Sequence, residues 1–242
     1  MARDTHMTFV EHLEEFRWRL LKSLAAVGAA FVLTYFFSEQ IFAFMVAPLQ
    51  RLLEPGKALI GTGVTEAFFT ELKVALVAGL FLAGPFIFYQ IWRFIAPGLQ
   101  ERERRLAVPF VFFTTLFFVG GAYFCYRVVL PFAFLYFVEQ YRSLGVSPEV
   151  RIGEYFTFFF RMVLAFGITF ELPVFTFFLV RLGIWDHRFL WRCFRYAILV
   201  IFTVAAILTP GPDVVSQILL AIPLTLLYLL SIGVAYACRR KP

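Results

Sequence analysis

Glu171 lies within Phe156–Leu182, a run that otherwise reads as a membrane-spanning helix. A carboxylate in hydrocarbon is costly, so an acid at that depth normally faces a cavity, a partner or a pathway. The alternative is a neutral, hydrogen-bonded carboxyl with a purely structural role. Pro173 lacks the N–H that the Thr169 carbonyl would take in a regular helix, so a kink there would open polar backbone beside the acid.

Three further groups have types and spacing suited to recognition. In the N-terminal segment, Glu15 and Arg19 are four residues apart, a helical ion pair worth about 0.5 kcal/mol if exposed. Phe9, Val10, Leu13, Phe16 and Leu20 fall largely on one face of the same helix, with Glu11, Glu14, Glu15 and Trp18 mostly on the other. This predicts an interfacial helix over residues 8–20, its polar side solvated. In the run from Phe94 to Arg105, Pro97-Gly98 stops one helix and a Glu/Arg run starts the next. That run is either a basic anchor at the membrane surface or a carboxylate offered beside Phe94. Asp213, Ser216 and Gln217 follow Pro210-Gly211-Pro212. Asp213 is a helix N-cap or a polar point at the tip of a hairpin.

Other chemistries find no support. His6, His12 and His187 lie outside the apolar runs, and no embedded Ser–His pair, Asp pair or HExxH motif occurs. Cys125, Cys193 and Cys238 form no CxxC, so neither a metal site nor a disulfide framework is expected. No GxxxxGK[ST] loop is present. No catalytic residue and no cofactor is assigned. The net charge of +6 comes without a basic block interleaved with aromatics, which excludes nucleic acid as a partner.

The elements that position these groups are membrane spans. The chain is 61% hydrophobic and 20% aromatic, with 16% charged residues and a mean hydropathy of +0.81. A soluble domain of this size cannot hide that much apolar surface. Six apolar runs stand out: Leu20–Phe44, Lys73–Ile95, Leu106–Tyr126, Phe156–Leu182, Tyr196–Leu208 and Val215–Ala237. The fifth has an apolar core of about 13 residues, or roughly 20 Å, shorter than a 30 Å hydrocarbon core. The fold class expected is all-α, a single domain of six transmembrane helices with the last two short. Basic residues divide fifteen to five between alternate connections, which puts both termini in the cytoplasm. No short apolar segment with a small-residue cleavage site precedes the first run, so that run is expected to direct insertion.

Six ordered motifs extend these readings. They are Glu11-His12-Leu13-Glu14-Glu15-Phe16-Arg17-Trp18-Arg19-Leu20, Ala47-Pro48-Leu49, Tyr89 through Leu99, Glu103-Arg104-Arg105, Ala165 through Pro173, and Pro212 through Gln217 with Ala221-Ile222-Pro223. Together the chain resembles the TatC family, the multispanning core of the twin-arginine protein translocase, from about Val10 to Ala237. The resemblance implies a concave bundle in the cytoplasmic (inner) membrane. It implies a receptor for twin-arginine signal peptides on Glu15, Arg17, Arg19, Phe94 and Glu103. It makes Glu171 the polar point inside the concave face and makes Pro48, Asp213 and Gln217 functional positions on the external side. Implied partners are single-span Tat subunits of the TatA/TatB type, membrane lipid and further copies of the chain, with transport drawing on the proton-motive force. Leu229 stands where relatives often have Glu, and Ala67 follows Glu66 where relatives often have Pro.

Two rival functions remain open on the residues alone. A proton-coupled small-solute transporter would use Glu171 as its carrier, but it needs a polar path across several spans, and the candidates for one are few: Glu171, with Lys73 and Arg161 near segment ends. In a structural scaffold, Glu171 would only hold the bundle together.

Overall fold

Hydrocarbon leaves backbone polar groups no partner but one another, so a chain this apolar must fold as helices. The computed structural model describes residues 9–53, 58–96, 107–209 and 214–238. Its helices are α1 (Phe9–Tyr35), α2 (Ser38–Gln50), α3 (Glu66–Ile95), α4 (Ala107–Phe124), α5 (Leu130–Ser143), α6 (Ile152–Arg181), α7 (His187–Leu208) and α8 (Val214–Ala237). A π-helical turn, Cys125–Val129, joins α4 to α5. Five helices are long and apolar enough to cross a membrane, and the bent pair α1–α2 makes a sixth if counted as one span.

The amphipathic segment, described from Phe9 onward, runs into the first span as one helix, since no breaker lies between Arg17 and Leu24. Three boundaries differ from the sequence expectation. The first run, Leu20–Phe44, breaks at Phe36-Phe37, where the chain bends by 84°. The Thr34 hydroxyl donates to the Ala30 carbonyl at 2.9 Å and the Ala75 carbonyl at 2.7 Å, while Phe37 N–H returns to the Thr34 carbonyl at 3.1 Å. Such hydroxyl bonds compete with the helix ladder and bend it. The third run, Leu106–Tyr126, continues to Ser143, making a 36-residue helical stretch about 54 Å long. Leu130 N–H reaches back five residues to the Cys125 carbonyl, and Pro131 falls in the first turn of α5, where its missing donor does little harm. The fifth helix has 22 residues rather than 13. Its arginine-bearing first turns are helical too, capped by the Asp186 carboxylate on His187 N–H at 2.8 Å. It and the 24-residue α8 are still the shortest spanning helices, as expected.

The chain divides into two compact units. One contains the residues up to Ile41 with Glu71–Thr115; the other contains Phe42–Thr70 with the chain from Leu116 onward. In the first, α1 and α3 meet backbone to backbone. A Cβ on Gly79 would lie 2.9 Å from Phe31 N, so only glycine permits that approach. In the second, α4 and α6 cross just as closely: a Cβ on Gly121 would lie 2.7 Å from the Phe166 carbonyl oxygen, and one on Gly167 would lie 2.9 Å from the Phe118 ring. Dispersion between such close surfaces, rather than exclusion of water, holds helices together in lipid. Helix α6 ends in a Schellman motif. Gly183 takes a φ of +76°, its N–H bonds the Val180 carbonyl at 3.0 Å, and Ile184 N–H bonds the Leu179 carbonyl at 2.9 Å.

Candidate functional sites

Helix α1 turns one polar stripe inward. His12, Glu15, Arg19 and Ser23, spaced three and four apart, are half-buried, whereas Val10, Leu13, Phe16 and Leu20 are exposed, as are Glu11, Glu14 and Trp18. Of the residues that the sequence places on the polar face, Glu15 is the one drawn inward.

The inward stripe meets the end of α3. The Phe94 ring stacks on His12, centroids 4.4 Å apart, and meets Phe16 edge-on at 5.5 Å. Arg19 donates Nε–H to Glu15 Oε1 at 3.1 Å, and its Nη2 is bonded to the same oxygen. Its Nη1 reaches Gln90 Oε1 at 3.4 Å. Both side chains of the ion pair are less than one-fifth exposed. Glu15 Oε2 is buried and accepts no hydrogen bond among the described residues. The geometry therefore holds a carboxylate in fixed orientation with one acceptor oxygen uncommitted, beside an aromatic ring. Arg17 is exposed on the same helix and points away from this cluster. Glu103, expected to join it, lies outside the described residues. Sequence reasoning missed Gln90 and His12 as members; their spacing from Phe94 and Glu15 was the available signal.

Glu171 is 4% exposed, and neither of its carboxylate oxygens has a hydrogen-bond partner among the described residues. It lies one turn along α6 from Gly167, on the face that crosses α4. The helix continues through Pro173 to Arg181 rather than ending there. A buried carboxyl left without a hydrogen-bond partner costs about 1–3 kcal/mol, more if charged.

A third set surrounds the N-terminal end of α6. Pro48 is buried inside α2, and its missing N–H leaves the Phe44 carbonyl without its helical donor. The Tyr126 hydroxyl fills that role, donating to Phe44 O at 2.8 Å while its ring stacks on Phe44 at 4.5 Å. One residue on, the Tyr155 hydroxyl donates to Met45 O at 2.6 Å. Glu66 gathers the connection before α3. It accepts from Thr62 N–H at 2.6 Å, Gly63 N–H at 3.0 Å, the Thr62 hydroxyl at 3.2 Å and Gly153 N–H at 2.8 Å. The Ile60–Arg151 bridge runs alongside. Gln217 is half-buried and ties α8 to α7, donating Nε2–H to Phe202 O at 2.9 Å. Asp213 lies outside the described residues. Glu66, Tyr126 and Tyr155 escaped the sequence reading as functional positions, because nothing local announces a bond to a residue 80 or more positions away. No group of three metal-ligating side chains occurs among the described residues.

A sequence model of the family described as "Sec-independent protein translocase protein (TatC)" matches residues 11–223. The TatC of Koribacter versatilis is 43% identical over 238 residues, covering 97% of this chain and 87% of that protein. The TatC of Campylobacter jejuni is 44% identical over 232 residues, covering 96% and 94%. A crystal structure titled as the twin arginine translocase receptor TatC superimposes with a TM-score of 0.85 at 35% identity, covering 95% of this chain and all of the other.

Proposed function

Because this chain belongs to the TatC family of Sec-independent protein translocases, we propose that it is the signal-peptide receptor and core subunit of a twin-arginine translocase. It exports folded proteins across the cytoplasmic membrane, with both termini on the cytoplasmic side as the fifteen-to-five split of basic residues indicates. It performs no reaction of its own and draws on the proton-motive force.

One observation carries the receptor reading: Glu15 keeps a buried, uncommitted oxygen while Arg19 holds the carboxylate in place. A guanidinium from an arginine doublet would donate to that oxygen as a charge-assisted bond, strengthened by low dielectric. Phe94 offers a ring on which the second guanidinium can stack. A lysine keeps the charge but loses the planar fork, which favours arginine. Glu103 supplies the second carboxylate, Arg19 holds Glu15 in place, and Arg17, exposed on the same helix, is left to contact the peptide beyond the arginine doublet. Glu171 then contacts single-span Tat subunits, which supply the hydrogen bonds that the described residues do not.

The test is photo-cross-linking of a twin-arginine peptide, and of its twin-lysine counterpart, to wild type, Glu15→Ala, Glu103→Ala and the double variant. Expected are at least a tenfold loss in the double variant, about 1.4 kcal/mol, and weak capture of the lysine peptide throughout. Undiminished capture by the double variant overturns the site.

A further inference from the structure

An open cavity of about 210 Å³ lies between the C-terminal half of α5, the connection 144–151 and the first turns of α6. Its walls are mostly apolar and aromatic, with Phe134, Phe137, Phe158 and Tyr155 among them. Two carboxylates, Glu149 and Glu154, also line it, and no cationic side chain does among the described residues. Arg151 stands beside the rim, 3.6 Å from Glu154, and Arg142 lies 3.7 Å from Glu139 on α5. Glu149, Glu154, Arg151 and Arg142 are all exposed.

Depth follows from length. Helix α6 has 30 residues, about 45 Å, which matches a hydrocarbon core plus both headgroup layers. Its apolar run begins at Phe156, so Glu149 and Glu154 sit at headgroup level while Phe158 and Phe134 sit deeper. Tyr141 and Tyr155 mark the boundary as interfacial aromatics do.

An apolar slot capped by acids, with guanidinium groups just outside, complements one class of membrane molecule. We propose that this cavity binds an aminophospholipid, its primary ammonium on Glu149 and Glu154, its phosphate toward Arg151, and one acyl chain along the phenylalanine wall. The acids repel an anionic headgroup. A choline headgroup keeps the positive charge but has no N–H to donate, so it gains no charge-assisted hydrogen bond. The site is independent of signal-peptide recognition and stands or falls without it.

The experiment is native mass spectrometry of the full chain released from nanodiscs of matched acyl composition, with phosphatidylethanolamine, phosphatidylcholine and phosphatidylglycerol in equal amounts. Wild type is expected to retain phosphatidylethanolamine over each of the others by about fivefold, roughly one charge-assisted bond's worth of preference. Glu149→Gln/Glu154→Gln, both exposed and conservative, should bring that ratio to about one. Equal retention of ethanolamine and choline lipids by wild type overturns the proposal without reliance on any variant. So does preferential retention of phosphatidylglycerol, or an unchanged ratio in the double variant. A photoreactive group at Phe137 should label lipid; labelling of a protein helix instead also refutes it.

Discussion

Glu15 and Glu171 are both acids withdrawn from water, but the chain treats them differently. Glu15 receives both the Nε and Nη2 of Arg19 on one oxygen and keeps the other open. Glu171 has no hydrogen-bond partner on either oxygen among the described residues. On the proposed function the first is a preorganised acceptor, since its own helix supplies the cation that fixes its orientation. On the same proposal the second is completed by a partner subunit. A receptor that captures a soluble peptide benefits from preorganisation. A contact that forms only on assembly benefits from a group that is uncomfortable until its partner arrives.

The largest expected effect breaks this comparison at Glu171. Glu171→Leu should leave the purified protein no less stable, and up to about 2 kcal/mol more stable, because an unsatisfied buried polar group is removed. Export should nevertheless collapse, and cross-links to single-span subunits from α6 should weaken. Melting in detergent and export of a twin-arginine reporter measure the two sides. A destabilised protein would mean that Glu171 is satisfied within the chain. Intact export would mean that the missing partner has no use.

At Glu15 the comparison is sharpened rather than broken. Glu15→Gln retains an acceptor oxygen but loses charge, and Arg19→Ala keeps charge but loses orientation. Peptide affinity should fall about tenfold in the first, as a charge-assisted bond becomes neutral, and only a few-fold in the second. An Arg19→Ala loss as large as that of Glu15→Gln would make Arg19 a ligand for the peptide rather than a positioning residue.

Much of this was legible in the sequence, and the failures share a cause. Glu171 is visible because it interrupts a uniform apolar background, and the apolar runs are visible because polar residues separate them. The bend at Phe36-Phe37 is not visible, since both residues are as apolar as their neighbours and the bend depends on Thr34 reaching Ala75, 41 positions away. The extension of the third helix to Ser143 was hidden by Arg127, which ends an apolar run without ending a helix. Glu66 was passed over because three of its four hydrogen bonds come from a local turn and the fourth comes from Gly153, 87 residues on.

Glu66 is the opposite extreme from Glu171, a carboxylate that the chain satisfies four times over. Glu66→Gln exchanges one acceptor oxygen for an amide donor, so it should loosen the connection around Ile60, read as faster proteolysis there. Cleavage at the wild-type rate in the variant would show that Glu66 does not hold the connection.

The smallest expected effect separates two explanations of Pro48. The family resemblance makes it a functional position; the structure makes it the reason that Phe44 O is available to Tyr126. Tyr126→Phe should cost about 1 kcal/mol, one hydrogen bond, because the carbonyl then has no donor from either source. Pro48→Ala returns an N–H to the helix and satisfies Phe44 O locally, so in that background Tyr126→Phe should cost almost nothing. The difference, measured as a double-mutant cycle, is a coupling of about 1 kcal/mol between residues 78 positions apart. If export falls in Pro48→Ala by no more than in Tyr126→Phe, the proline acts through this bond. If export falls much further while the coupling stays near zero, the proline is read by a partner, and this end of the molecule resembles Glu171 rather than Glu15.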